Sequence, residues 1–566
     1  MNPPDYAGAR TTVRRRLFFV LILAGAAAVV SGVIVWHRLG TSQPTDRPTE
    51  SGNAPIEEPL AMGERLYRDN CAACHGEKGG GDGPAAKFLQ PKPRNFGEGK
   101  FRLVSTLNRV PSDQDLLFIL EHGMPGSAMF PFAHLSEIER QALVRHVRQL
   151  TRTAFSERIR QEAKNSDEDL EPAEMAEIVD RATKPGETLT PPDDWPDSTP
   201  ASVARGHDSY LKVCAPCHGA TGKGDGVQDQ RNDDGLPTRP RDLTRGIFKS
   251  GRDPHRLFSR IRLGLPGSPM PSLGEDGLSS TSVVDLIHYV LSLSDPSLQV
   301  RAEHKRRLLT ARRVEGTLSE DIADKEWGAA KAAPIAVSPL WWRNYDEPDL
   351  SVTALHDGRT LAIRLTWRDL TRNDSAIRPQ DFEDMAALQL FAGKPEPFLG
   401  MGAADKPVDV WLWNPSIQAK ATDFADVDTA YPHMSVDLYP FEKPGDGKRR
   451  HAPADQPPDF VTARQAGNLR ADPAHGFTAS SLQARGFGSS TMRPRLSQPV
   501  ASRGVYQDKD GRWTVVFRRP LAVPAESGIT LASGDTLSIA FALWDGAARD
   551  RNGQKLVSIW HDLKVE

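Results

Sequence analysis

Between residues 350 and 367 the chain alternates apolar and polar positions with a period of two. Leu350-Ser351-Val352-Thr353-Ala354-Leu355 runs into His356-Asp357-Gly358-Arg359, and Thr360-Leu361-Ala362-Ile363-Arg364-Leu365-Thr366-Trp367 returns. Such runs on either side of an Asp-Gly pair predict an antiparallel hairpin: strand side chains alternate between faces, and glycine supplies the positive φ of the turn. Residues 408–413, 513–518, 537–544 and 555–565 read as further strands, separated by Gly- and Pro-containing loops with no helical period of any length. Residues 330–566 are therefore expected to form an all-β domain, a two-sheet sandwich.

Upstream the period changes. Residues 60–68 and 202–213 predict helices, and 136–150 and 281–293 predict two more. The 136–150 segment opens on Ser136 and Glu139, the S-x-x-E pattern of a capping box. Residues 299–329 begin charged and helical and read as a linker. Residues 17–36 carry no charge over twenty positions, enough to span a bilayer. The Arg14-Arg15-Arg16 triplet before them places the N-terminus, 1–16, on the cytoplasmic side. The expectation is a single-pass, uncleaved transmembrane helix with the rest exported. The alternative is a cleaved signal peptide, with small residues at 24–28 and a shorter apolar region. Residues 37–57 are polar and rich in Ser, Thr and Pro, a tether.

Candidate chemistry enters with the cysteines. Cys71-Ala72-Ala73-Cys74-His75 returns as Cys214-Ala215-Pro216-Cys217-His218. A C-x-x-C-H run is a c-type haem attachment site: two thiols at this spacing form thioethers to one haem, and His75 or His218 supplies the proximal iron ligand. The surroundings repeat as well. Tyr67 and Tyr210 stand four residues before the first cysteine, and Gly79-Gly80-Gly81-Asp82-Gly83 answers Gly222-Lys223-Gly224-Asp225-Gly226. Pro93-Arg94-Asn95-Phe96 answers Pro240-Arg241-Asp242-Leu243. Gly123-Met124-Pro125-Gly126-Ser127-Ala128-Met129 answers Gly264-Leu265-Pro266-Gly267-Ser268-Pro269-Met270. Met124 aligns with Leu265, which cannot bind iron, so Met129 and Met270 are the expected distal ligands. His122, His134 and His146 have no counterparts and read as packing or surface residues. Asp82 and Asp225 read as turn residues rather than acid–base catalysts.

On these residues, 58–152 and 198–298 resemble class I cytochrome c domains, which implies two small all-α domains with crossing N- and C-terminal helices. All four cysteines of the 566-residue chain are consumed by these sites, leaving none for a disulfide, a zinc site or a catalytic thiol. The formal net charge of −3 gives no sign of a nucleic-acid partner. Between the two domains, 153–197 holds thirteen acidic and five basic residues. It reads as an acidic linker, helical over 172–182, whose charge is either a solvated face or a docking patch for a basic cytochrome.

The β region carries a resemblance of its own. Leu365-Thr366-Trp367-Arg368-Asp369, Met401-Gly402, Val410-Trp411-Leu412-Trp413, 513–519 and Ala542-Leu543-Trp544-Asp545-Gly546, in that order, resemble the haem b-binding gamma subunit of ethylbenzene dehydrogenase. Related gamma subunits belong to type II molybdenum enzymes of the dimethyl sulfoxide reductase family. The resemblance implies a β-sandwich holding one non-covalent haem b between a Met and a Lys. Met401, after Phe398-Leu399-Gly400, falls at the family's Met. The Lys is sought within 480–494, where none occurs, and Arg485 has no lone pair to offer iron. Either Met492 or His475 completes the site, or the iron is five-coordinate, or no haem b binds.

The whole reads as a multidomain, membrane-anchored, periplasmic electron-transfer protein of the bacterial inner membrane, not an enzyme by itself. It would relay single electrons between a redox enzyme, a molybdopterin oxidoreductase complex, and a soluble or membrane respiratory cytochrome. Three alternatives remain. One is the di-haem c subunit of a cbb3-type terminal oxidase. Another is a peroxidase-like di-haem enzyme. The third is a cytochrome fused to a sugar-binding sandwich, with Trp341, Trp342, Trp411 and Trp413 as the sugar platform.

Overall fold

The computed structural model describes residues 58–166, 170–274, 276–318, 325–343, 348–420, 430–433 and 476–566. The expected anchor at 17–36, its flanks 1–16 and 37–57, and His475 lie outside the described residues. Among the described residues, no helix is long and apolar enough to cross a membrane.

Each duplicated region is built on two crossing helices: Pro59–Asn70 against Glu137–Asn165 in the first, Pro200–Val213 against Ser280–Ser292 in the second. The crossing is close because one residue lacks a side chain. A Cβ on Gly63 would strike the Ala142 carbonyl, and one on Gly206 the Asp285 carbonyl. The predicted capping box forms: Ser136 Oγ accepts from the Glu139 amide, and the Glu139 carboxylate accepts from the Ser136 amide. That helix runs on past the expected end near Leu150, because residues 151–165 contain neither Gly nor Pro and are rich in helix formers.

The segment read as an acidic linker is therefore partly helix, Pro172–Thr183 included, and is docked around 187–189. Leu107 N donates to Glu187 O and Leu189 N to Ser105 O, and the Leu189 side chain packs against the cores of both domains.

The C-terminal domain departs from the expected two-sheet sandwich. It is one mixed sheet of 14 strands. The main path runs Thr491–Met492, Ser480–Ala484, Val408–Trp413, Met385–Phe391, Thr536–Trp544, His561–Val565, Leu308–Arg313, Ser351–His356, Thr360–Arg368, Arg512–Pro520, Ala501–Gln507. The sheet bends so that its arms pack face to face. Trp413 meets Trp513 at 5.0 Å and Trp411 meets Phe517 at 6.4 Å, although their strands are far apart in that order. Continuity comes from Leu308–Arg313, which pairs in parallel with both neighbours and closes the gap between the arms. It lies in the stretch read as a linker, where Arg306, Arg307, Arg312 and Arg313 mask the alternation of buried Leu309 and Ala311. The predicted hairpin is present, with Gly358 at φ 86° and Asp357 Oδ1 accepting from the amides of Arg359 and Thr360. The expected strand at 555–565 is split into Leu556–Val557 and His561–Val565.

One arm is apolar on both faces. Ala386, Leu388, Leu390, Trp411, Phe541 and Leu543 point into the main core. Ala387, Val408, Val410, Ala484, Ala540 and Trp544 form a second cluster on the other side, with Trp560. A strand with one face in water should be polar on that face, so the second cluster marks a surface built to be covered.

Candidate functional site

In both c domains the first helix ends at the first cysteine, and a single helical turn, Ala72–His75 or Ala215–His218, carries the rest of the motif. That turn places the two thiols and the imidazole on one side. His75 Nδ1 lies 3.0 Å from Arg94 O and His218 Nδ1 lies 3.1 Å from Arg241 O. A proton on Nδ1 is thereby tied to a carbonyl and the Nε2 lone pair is left for a metal. Tyr67 and Tyr210, both buried, donate to Gly76 O and Gly219 O at 2.8 Å. This hydrogen bond, made at the same place in each copy, locks the turn after the histidine.

The methionine loops also match. Met124 N donates to Met129 O at 2.8 Å and Leu265 N to Met270 O at 3.1 Å. Met124 and Leu265 thus occupy one structural position, Met129 and Met270 another. In the second domain Cys214, Cys217, His218 and Met270 line a single cavity of about 500 Å³. In the first, Met129 packs on the cluster that contains Cys71, Tyr67 and Phe96.

The four cysteines form no disulfide. Burial, with the neighbouring Cys74, pushes the Cys71 thiol up to about 12; burial alone does the same for Cys74. Burial, with Cys217, lifts Cys214 to about 11. Redox-active dithiols have depressed values, so these thiols lack the signature of a disulfide-exchange pair. Among the described residues the one group of three or more metal-type side chains is Asp369, Asp384 and Asp545, which includes no cysteine.

In the sheet domain Met401 adopts φ 81°, a left-handed conformation unusual for a side chain of this size. Its backbone is pinned there: Met401 N donates to Leu399 O, and Gly486 N donates to Met401 O. The loop in which a lysine was sought thus supports Met401 rather than facing it. A lysine approaches Met401 from elsewhere. Lys555 Nζ lies 4.0 Å from Met401 Sδ and 5.0 Å above the Trp544 ring, against the outer apolar cluster. Burial drives its ammonium down to about 8, which eases formation of the neutral amine, the form with a lone pair. Met492 instead lies in a short strand opposite Leu482.

Sequence reasoning missed Lys555 because it stands at the start of a predicted strand, where a lysine reads as a solvent-facing edge. Its one sequence signal was its place directly before the apolar pair Leu556-Val557.

The Lys555 loop is buttressed by the first c domain. Leu340 N donates to Lys555 O at 2.9 Å, Gln90 N to Leu340 O at 3.0 Å, and Trp342 N to Gln90 O at 2.7 Å. Phe88 sits where a Cβ on Gly553 would go. Trp342 and Arg343 also line the cavity of the second c domain.

Residues 60–151 match the family model for cytochrome c, and 201–290 that for subunit III of cbb3-type cytochrome c oxidase. Residues 330–556 match the model for ethylbenzene dehydrogenase. The chain is 26% identical over 258 residues to a protein of Haloferax mediterranei named as a respiratory nitrate reductase heme subunit, covering 44% of this chain and 70% of the relative. To the dimethylsulfide dehydrogenase subunit gamma of Rhodovulum sulfidophilum it is 28% identical over 220 residues, covering 38% and 59%. To the chlorate reductase subunit gamma of Ideonella dechloratans it is 43% identical over 84 residues, covering 15% and 34%. The matches to these two gamma subunits span less than two thirds of either. Taken with the geometry, the chain consists of two cytochrome c domains followed by an ethylbenzene dehydrogenase gamma-like domain.

Proposed function

We propose that the protein is an electron-transfer haem subunit of a molybdoenzyme complex, with two covalent haems c and one non-covalent haem b. The observation that carries this reading is the apposition of Met401 and Lys555 on the outer apolar face of the sheet, in a chain that also holds two C-x-x-C-H turns. Cys71 and Cys74, and Cys214 and Cys217, would provide the thioethers. His75 with Met129, His218 with Met270, and Met401 with Lys555 would provide the axial pairs. When bound, such haems supply one-electron couples, and His/Met ligation raises the potential and leaves no open position for a substrate.

The chain's own residues do the rest. The carbonyls of Arg94 and Arg241 orient the imidazoles, Tyr67 and Tyr210 hold the turns, and Trp544, Trp560 and Val410 keep water from the Met401–Lys555 side. Fusion in one chain keeps the three sites within reach of one another. The partners are enzyme subunits like those named for the relatives and a respiratory cytochrome. The location is the periplasmic face of the bacterial inner membrane, anchored through 17–36.

The match of residues 201–290 favours a second reading, a di-haem subunit of a terminal oxidase. It leaves Met401 and Lys555 without a role. Sugar binding loses its platform, since Trp411 and Trp413 are fully buried in the core. A pyridine haemochrome assay before and after acid–acetone extraction tests the proposal. Two retained haems c and one extractable haem b are expected; two haems c alone would make the sheet domain a haem-free module.

A further inference from the structure

The two c domains meet through their iron-side loops in a reciprocal way. Arg94, whose carbonyl faces His75 Nδ1, sends its guanidinium into the other domain and donates to Gly267 O at 3.3 Å. Arg241, whose carbonyl faces His218 Nδ1, does the reverse and donates to Pro125 O at 3.3 Å. Pro125 and Gly267 belong to the loops that carry Met129 and Met270. A Cβ on Gly126 would collide with the Arg241 guanidinium, and one on Gly267 with that of Arg94. Each methionine loop is therefore the socket for the other domain's arginine.

These arginines gather further cations around them. Arg102, Arg241 and Lys249 line the 500 Å³ cavity of the second domain. Burial, then Arg241, Arg102 and Arg94, pushes the Lys249 ammonium well below its ordinary value. Burial, then Arg94, lowers Arg102 to about 10. The carboxylates within electrostatic reach of Arg94 are Glu98, Asp234 and Asp233. Asp233 pairs with Lys100, Asp234 accepts from the Leu236 amide, and Glu98 is exposed. Lys249 has no hydrogen-bond or ion-pair partner among the described residues, and Arg94 Nε is buried without one. The unpartnered Lys249 ammonium and Arg94 Nε, beside this cavity, favour an anion there.

We propose that Arg94, Arg102, Arg241 and Lys249 form one anion site shared by both c domains. It takes the carboxylate side chains of the two haems c and makes the potential of each depend on an arginine of the other domain. The inference rests on the two-haem reading above. A cation beside a haem disfavours the more positive ferric state, so removing that cation lowers the midpoint.

The test is a potentiometric titration of the full chain, followed by visible spectra. Met270→His drops the second haem and leaves the first as the upper wave; Met129→His does the converse, since Met ligation raises the potential. On the Met270→His background Arg241→Gln should lower the upper wave, and on the Met129→His background Arg94→Gln should do so. Each fall should be about tenfold in the one-electron equilibrium, about 59 mV. Arg→Lys at either position should restore most of it, and the near-infrared band of the Met-ligated ferric haem should persist throughout. Lys249→Gln, which removes no hydrogen bond or ion pair among the described residues, should lower both waves and carries the test if an arginine variant fails to fold. Upper waves that stay in place with both haems c bound would overturn the shared site. Fewer than two haems c in the unmodified chain would instead overturn the reading on which it rests.

Discussion

As proposed, the c sites and the Met401–Lys555 site would solve the same problem, holding an iron between two side chains, at opposite extremes of sequence separation. Each c site is anchored in a pentapeptide whose covalent chemistry requires its spacing, and the distal methionine follows on a loop repeated in both copies. The ligands proposed in the sheet domain stand 154 residues apart, one on a strained loop and one before a two-residue strand. Local chemistry imposes a motif. A pair brought together by a sheet imposes only a residue type at each end, with no rule for the interval.

The largest break of this comparison is Cys71→Ala with Cys74→Ala. Covalent attachment in the first domain should be lost outright, with the c-haem count falling from two to one by pyridine haemochrome. Lys555→Leu should act on the other side alone, abolishing extractable haem b while both haems c remain; loss of all three would mean that the sites are not separable. A smaller effect is expected at the helix crossings. Gly206→Val forces a side chain into the Asp285 carbonyl and should cost on the order of 3 kcal/mol by denaturant unfolding. Gly277→Ala, which meets only Gly274 O at 3.5 Å, should change stability by a few tenths of a kcal/mol.

The smallest effect is a pH dependence confined to the sheet domain. Burial, then Asp369, raises Asp384 to about 7, and burial first raises Asp369. A carboxyl raised in the folded state binds more protons there than when unfolded. Its contribution to stability is therefore largest at acidic pH and falls as pH rises from about 4 through 7. His304 and His561, lowered to about 4 and 3 chiefly by desolvation, act in the opposite sense: folded they bind fewer protons than unfolded, so their contribution is lost as pH falls below about 6.5. The informative quantity is the difference between wild type and Asp384→Asn. The variant should gain relative stability between pH 5 and pH 8, read as a smaller separation of Tm values at the two ends; a constant difference would remove Asp384 from the titration.

The helices of both c domains were readable because their caps and apolar spacing are local, as at Ser136 and Glu139. Gly63 and Gly206 were not singled out, although both stand eight residues before a cysteine. A glycine within a helix is uninformative until the second helix is seen to lie against it. The hairpin around Asp357-Gly358 was legible for the same local reason. The strand Leu308–Arg313 was not, because its arginines made a parallel, central strand look like a charged connector.

The sequence alone determined what is chemically local: two haem-attachment turns, their paired methionine loops, and the alternation that makes the last domain a sheet. Tertiary structure alone decided that the sheet is continuous, that Lys555 comes to the Met401 sulfur while the 480–494 loop holds the Met401 backbone, and that Arg94 and Arg241 each serve the opposite domain. The division follows from physics. Covalent spacing and backbone periodicity act over a few residues and leave a pattern along the chain. Packing contacts are set by where folded surfaces meet, and any two positions can meet there.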